Sequence, residues 1–189
     1  MAKLENKLNV TYEKYLEIKK NTDNRIEFID DIVYMSPSPS TKHQIVSANL
    51  FDEFRRFFKN TNCLVLAAPF DVYLQSENED KPKVVTPDIT VMCDKTGLKD
   101  NGYFGIPSII IEILSTSNNE NKSRDTVVKF NLYAKYGVRE YWIVDPKEEV
   151  ITIYELIDEH YYKTYITAIG GEVNSSLFND LKINFNDIF

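Results

Sequence analysis

The stretch Ser108-Ile109-Ile110-Ile111-Glu112-Ile113-Leu114 decides the fold. A near-continuous apolar run of this length reads as a strand covered on both faces. It is far short of the roughly 20 residues that a membrane helix needs. Downstream, Ser123 to Tyr136 shows helical spacing and stops at Gly137, a residue suited to a left-handed helix terminus. Glu140-Tyr141-Trp142-Ile143-Val144-Asp145 follows as another strand, so the segment predicts a βαβ-like unit with a parallel strand pair. Tyr141 and Trp142 alternate faces of that strand, which predicts one of them in the core.

Further from this unit, Thr11 to Lys20 reads as a short helix capped by Thr11, with Val10 as a hydrophobic staple. Arg25 to Ser36 holds two β-rich runs around Asp30-Asp31, a hairpin signal, and Ser36-Pro37-Ser38-Pro39-Ser40 breaks the chain. From Thr41 to Asn60 the residues Val46, Leu50, Phe54, Phe57 and Phe58 recur at helical spacing. Cys63–Ala68, Phe70–Leu74 and Val84–Met92 read as strands, with Gln75–Lys83 and Asp94–Gly105 as loops. Val150–Leu156 and Tyr161–Thr167 are two further strands. Gly170-Gly171 leads to a tail that closes around Phe185 and Ile188. The expected fold is α/β (α+β mixed): a central mixed β-sheet flanked by helices, with extra antiparallel strands at both ends. One domain is expected over 1–189, with 1–10 as a flexible lead-in.

Composition agrees with a packed domain. Of 189 residues, 43% are hydrophobic, and Gly (6) and Pro (7) are too scarce for a low-complexity chain. The formal charge of −7, from 29 acidic and 22 basic residues, argues against a protein that coats nucleic acid through its general surface. Arg55, Arg56, Lys59, Lys81, Lys83, Lys122, Arg124 and Lys129 gather locally without forming a dense basic stripe. Cys63 and Cys93 stand 30 positions apart with no metal-binding spacing, and are expected as small core residues in a reducing compartment. The N-terminal residues carry no apolar signal region. A soluble, cytoplasmic protein is the expectation.

No phosphate-cradling glycine motif, nucleophile elbow or zinc-protease motif occurs, so no nucleotide cofactor is expected. What remains is a set of carboxylates. Asp88 follows Pro87 in a β-rich run, and Glu112 interrupts the most apolar stretch of the chain. A charge in such a run must be paired or ligate something, because burying it alone costs several kcal/mol. Two carboxylates on neighbouring strands suit Mg²⁺ (or Mn²⁺), which takes hard oxygen ligands and retains several waters. Such a metal activates a water and stabilises charge on a phosphoryl oxygen. Lys129, on the helix after Glu112, completes the set as a charge-neutralising cation, with Asp125 and Tyr133 one turn away on the same face.

Pro87-Asp88 followed by a strand bearing Glu112 resembles the PD-(D/E)XK nuclease superfamily, the restriction-endonuclease-like fold. The superfamily pattern places a lysine two residues after the glutamate, where this chain has Leu114. A wider set of segments resembles one branch, the Uma-two-type endonucleases. These are the hairpin Arg25–Ser36, the Ser-Pro-Ser stretch before His43-Gln44, Ala68-Pro69-Phe70-Asp71-Val72 and Thr86-Pro87-Asp88-Ile89. Ile111-Glu112-Ile113-Leu114-Ser115-Thr116-Ser117 and Tyr136-Gly137-Val138-Arg139-Glu140-Tyr141-Trp142-Ile143-Val144-Asp145 complete it. The resemblance covers about residues 10 to 189, and implies that the lysine has migrated to the following helix, where Lys129 stands.

The resemblance implies a metal-dependent endonuclease acting on DNA: Asp88 and Glu112 as metal ligands, and Lys129 orienting or polarising the attacking water. Glu27 is either a third carboxylate near the metal or an ion-paired or surface residue. His43 either touches a substrate phosphate or metal-bound water, or is a capping or exposed histidine. Asp125 reads as a first-turn residue favouring the helix dipole. Glu140 reads as structural, with a helix cation as a candidate partner. The abundant Tyr and Phe (12 and 11) make a homodimer through the C-terminal strands an expected partner arrangement. The alternative function is a nuclease-fold protein that binds or assembles without hydrolysis, favoured by the acidic charge and by Leu114.

Overall fold

A computed structural model describes residues 7–36, 38–115, 124–168 and 171–189. Pro37, Thr116-Ser117, Lys122, Ser123 and Gly170 lie outside the described residues, as do residues 1–6.

The expected mixed α/β fold is present, and the described strands form two mixed sheets and a two-stranded ribbon. The first sheet has seven strands in the order β1-β3-β2-β6-β5-β9-β8. They are β1 (Lys7–Asn9), β2 (Ile26–Ile29), β3 (Ile32–Met35), β5 (Val72–Leu74), β6 (Lys83–Val85), β8 (Leu98–Lys99) and β9 (Gly102–Phe104). Within the expected lead-in, Lys7–Asn9 pairs antiparallel with β3. The predicted hairpin is present, and its turn residues Asp30 and Asp31 both have positive φ (50° and 63°), as the tight primed turns require. The expected loop Asp94–Gly105 contains β8 and β9, a short antiparallel pair.

The second sheet runs β13-β12-β11-β10-β7-β4. Its strands are β4 (Leu64–Ala67), β7 (Ile89–Met92), β10 (Ile109–Ile113), β11 (Glu140–Asp145), β12 (Val150–Ile157) and β13 (His160–Ala168). β10 and β11 pair in parallel, as the strand-helix-strand reading predicts. The single strand expected over Val84–Met92 is two. β6 belongs to the first sheet and β7 to the second, and the chain crosses between them at Thr86-Pro87-Asp88. Pro87 has no amide to donate to a ladder, so it falls at the break.

Among the described residues three α-helices cover these sheets: α1 (Tyr12–Lys20), α2 (Thr41–Phe58) and α3 (Lys129–Tyr136). Thr11 Oγ1 accepts from Lys14 N (3.3 Å), a cap contributing about 1 kcal/mol. Ser40 caps α2 in the same way. A π-helical turn, Arg124–Val128, precedes α3, and Gly137 ends it at φ 86°. Strand β10 is covered on both sides, as its apolar run predicts. Ile109, Ile111 and Ile113 join the core under α2 with Val46, Leu50, Phe54 and Phe58, while Ile110 and Leu114 face α3 with Leu132, Tyr133 and Tyr136. Trp142 and Tyr141 are both core, one in each cluster, which corrects the expectation of one. Phe54 meets Trp142 edge-on at 5.2 Å between centroids, worth about 0.5–1.5 kcal/mol beyond the area buried. A third cluster packs Tyr15 of α1 on Phe28 of the hairpin, with Val10 against it.

Near the C-terminus, β14 (Glu172–Asn174) and β15 (Lys182–Asn184) form the ribbon, and Phe185 and Ile188 are buried in the α2 core. Glu140 is structural, but its partners are not helix cations. It accepts from Trp142 Nε1 (2.5 Å), Ser175 Oγ (3.0 Å) and Leu177 N (2.9 Å), tying this segment to β11. The aromatic residues Tyr154 and Tyr161 pack inward on Phe130 and Tyr141.

Cys63 and Cys93 form a disulfide, which corrects the reading of two core thiols. The register explains it. Leu64 lies opposite Met92 in the antiparallel β4–β7 pair, so Cys63 and Cys93 oppose each other one step further on. The inference of a reducing compartment from the cysteines therefore does not hold. Among the described residues, no helix is long and apolar enough to cross a membrane.

Candidate active site

Register brings the two central carboxylates together. In the antiparallel β7–β10 pair Ile89 opposes Ile111, which sets Asp88 beside Glu112 just past the last paired position. Both face the α3 side of the sheet, the side of Ile110 and Leu114. Asp88 Oδ2 accepts the Ile113 amide at 2.8 Å, which locks Asp88 to the strand that carries Glu112.

The expected lysine arrives from the helix. Lys129 Nζ lies 2.7 Å from Glu112 Oε1 and 2.8 Å from Glu27 Oε1, and 3.5 Å from Asp125 Oδ1. Tyr133, one turn on, donates to Glu112 Oε1 at 2.8 Å. Leu114, where the superfamily pattern has its lysine, is buried among apolar side chains. Glu27 comes from β2 of the other sheet, and its Oε1 also accepts the Thr86 amide at the sheet crossing (2.9 Å). Of the two readings open for Glu27, the surface one is excluded: it is 1% exposed and ion-paired. His43 is likewise neither exposed nor a cap. It sits in the first turn of α2, buried, with Nε2 3.3 Å from Asp88 Oδ2.

Two site residues escape the sequence reading. Arg25 donates to Asp88 Oδ1 at 2.9 Å, and Arg124 Nε lies 3.5 Å from both Glu27 Oε2 and Asp125 Oδ1. Asp125 stands in the first turn of the π-helical segment, as expected, and is also a buried member of the cluster. Its place beside Lys129 is the one the i, i+4 spacing predicts. Nothing in the local sequence around Arg25 or Arg124 marks them.

Four carboxylates (Glu27, Asp88, Glu112, Asp125) thus meet three permanent cations (Arg25, Arg124, Lys129), and the imbalance shows in their proton affinities. Burial pushes Glu112 up, Lys129 opposes this only in part, and the neighbouring carboxylates add to it, giving a pKa of about 8. Asp125 is raised for the same reasons. Glu27 is also buried, but Lys129, Arg124 and Arg25 outweigh burial and hold it at about 2. Asp88 is held below its usual range, where His43 and Arg25 overcome burial. Burial alone would lower Lys129, yet Glu112, Glu27 and Asp125 raise it above its usual value, so it is an ammonium. The cluster is one positive charge short, which a proton on Glu112 or a bound cation supplies.

A cavity of about 20 Å³ opens between Asp88, Glu112, Asp125 and His43, with Arg25 and Arg124 at its wall. That volume holds one water-sized sphere. Its neighbour, of about 310 Å³, shares Arg25, Ser36, Pro39, His43 and Asp88 with it. Among the described residues, no three His, Cys, Asp or Glu side chains form a group that would hold a metal unaided. Two adjacent carboxylates with solvent space beside them do fit Mg²⁺ or Mn²⁺, which keep waters in their remaining positions. Glu27 Oε2, ion-paired with Arg124 but buried without a hydrogen bond, marks the same excess of acceptors.

Residues 12–186 match the family described as "Uma2: Putative restriction endonuclease". A crystal structure of "a putative nuclease belonging to DUF820 from Anabaena variabilis" is similar over 95% of this chain and 97% of its own. Its TM-score is 0.75 at 19% identity. An uncharacterized protein of Synechocystis sp. is 25% identical over 148 residues, 78% of this chain and 74% of its own length. The solved neighbour shares the architecture of this chain.

Proposed function

The chain belongs to the Uma2 family of nuclease-like proteins, and from that premise we propose that it is a metal-dependent endonuclease hydrolysing DNA phosphodiester bonds. One observation carries the proposal: Lys129, from a helix, reaches Glu112 on its strand at 2.7 Å beside Asp88, rebuilding the acid-acid-lysine set that Leu114 interrupts in sequence.

In this reading Asp88 and Glu112 hold Mg²⁺ or Mn²⁺, which supplies a lowered water pKa and charge stabilisation on the phosphoryl oxygens. Lys129 Nζ keeps its proton and donates to the attacking water or to the non-bridging oxygen that gains charge. Glu27 holds Lys129 from the opposite side of Glu112, and Tyr133 fixes the Glu112 carboxylate. His43 lines both the small cavity and the larger one, where it can meet a substrate phosphate. Cutting both DNA strands calls for two sites, so a homodimer belongs to the proposal, with strand β13 at the sheet edge as its candidate surface.

Cleavage of single- and double-stranded DNA, titrated with Mn²⁺, tests the assignment. Asp88→Ala combined with Glu112→Ala is expected to abolish cleavage; cleavage at the wild-type rate would remove it. A second reading, a nuclease-fold module that binds without hydrolysis, has one observation in its favour: Asp88, Glu112 and Glu27 are all paired with internal cations. Calorimetric titration separates the two, since that reading expects no Mn²⁺ binding at millimolar concentration.

A further inference from the structure

Both oxygens of Asp88 are already engaged. Oδ1 accepts from Arg25, and Oδ2 faces both the Ile113 amide and His43 Nε2. A cation that ligates Asp88 therefore competes with these partners for its charge, and is repelled most by the permanent cation among them, Arg25. The Ile113 amide is fixed in the backbone of buried β10, and the His43 side chain is 7% exposed. The Arg25 side chain, at 28% exposure, is the one partner with somewhere to go.

Where it can go is defined by the cavities. Arg25 lines the 20 Å³ cavity at the carboxylates, the 310 Å³ cavity beside it, and a third of about 350 Å³ that extends past Thr86 and Asp71 to Lys19. It is the one residue lining all three. Lys19, the other cation of the third cavity, is already ion-paired with Asp71. A strand of phosphates laid along these cavities meets Arg25 next to the carboxylate pair, and a guanidinium is suited to two-pronged contact with phosphate.

We propose that Arg25 is a displaceable counter-ion: it holds Asp88 when the metal is absent, and on metal binding swings out to grip the DNA phosphate flanking the scissile bond. Metal and DNA then bind cooperatively through one side chain, although Arg25 competes with the metal when DNA is absent. The inference rests on the metal-nuclease reading above.

The consequence is a pair of effects of opposite sign. In Arg25→Gln, Mn²⁺ measured calorimetrically without DNA is expected to bind about tenfold tighter, since a charge-assisted hydrogen bond no longer competes for Asp88. A fluorescein-labelled DNA duplex, followed by anisotropy with Ca²⁺ in place of Mn²⁺, is expected to bind about tenfold more weakly, with a salt slope reduced by about 1. Arg25→Lys, which keeps the charge, is expected to recover part of the DNA affinity, and thermal unfolding of each variant verifies folding. Weakening of both ligands by Arg25→Gln would make Arg25 a structural support and overturn the proposal, as would no change in either. If Arg25→Gln does not fold, Arg25→Lys decides alone: unaltered Mn²⁺ and DNA affinities overturn the proposal. Wild-type protein that binds neither Mn²⁺ nor DNA would overturn the nuclease reading itself, and this inference with it.

Discussion

Lys129 Nζ sits between Glu112 Oε1 at 2.7 Å and Glu27 Oε1 at 2.8 Å, a single buried ammonium joining a strand of one sheet to a strand of the other. The π-helical turn and α3 exist in that position because Leu132, Tyr133 and Tyr136 pack on the Ile110 face of β10. The same packing that builds the core delivers the lysine.

Removing that charge should be expensive. Lys129→Met leaves Glu27 and Glu112 buried without their shared cation, and a loss of about 3–5 kcal/mol is expected in urea unfolding. The double variant Lys129→Met with Glu27→Gln should recover a substantial part, because the carboxylate held ionised beside Lys129 has gone. Additive losses in the double-variant cycle would mean that the two residues do not interact.

The two glutamates should leave opposite marks on the pH dependence of stability. Glu27 is held at about 2, below its ordinary 4.5, so its contribution is present above pH 4.5 and lost as pH falls toward 2. Glu112 is raised to about 8, so its contribution is present below pH 4.5 and lost as pH rises through 8. Glu27→Gln should therefore flatten the acid limb of the stability profile, and Glu112→Gln the decline toward pH 8. Urea midpoints between about pH 3 and pH 9 check both signs.

A raised Glu112 also makes metal binding a proton-releasing event. Mn²⁺ affinity should rise between about pH 6 and pH 8, with proton release detectable as buffer-dependent heat. Affinity flat across that range would show that Glu112 is not a ligand.

Glu140 serves as a contrast, because it is buried and acidic yet far from this chemistry in role. Glu140→Ala would strip an acceptor from Trp142, Ser175 and Leu177 at once. Leu177 N keeps Ser175 Oγ as an acceptor at 3.2 Å, so two donors are left unsatisfied at about 1–3 kcal/mol each, and a loss of at least about 2 kcal/mol is expected. Mn²⁺ affinity of the folded fraction should be unchanged, and a parallel loss of metal binding would place Glu140 in the site network.

Much of this architecture is legible in the sequence, for a definite reason. Ser108–Leu114 announces a doubly covered strand, and one charge in such a run must be answered, so Glu112 leads to Lys129. Pro87 should have divided Val84–Met92, since it cannot donate to a ladder; its β-branched neighbours masked the break. Arg25, Arg124 and the Cys63–Cys93 bridge were not legible, because each depends on a partner about 30 or more residues away that periodicity does not encode. The burial of Asp125 was not legible, because an acidic residue in a first helical turn has a sufficient local explanation. Only the packing of α3 against β10 turns it inward.

The most direct measurement is anomalous diffraction from a crystal soaked in Mn²⁺. The account predicts a single strong peak bounded by the Asp88 and Glu112 carboxylates, with Arg25 withdrawn from Asp88 and Lys129 still beside Glu112. Density for an intact Arg25–Asp88 pair with no peak at millimolar Mn²⁺, or a peak elsewhere on the chain, would contradict it.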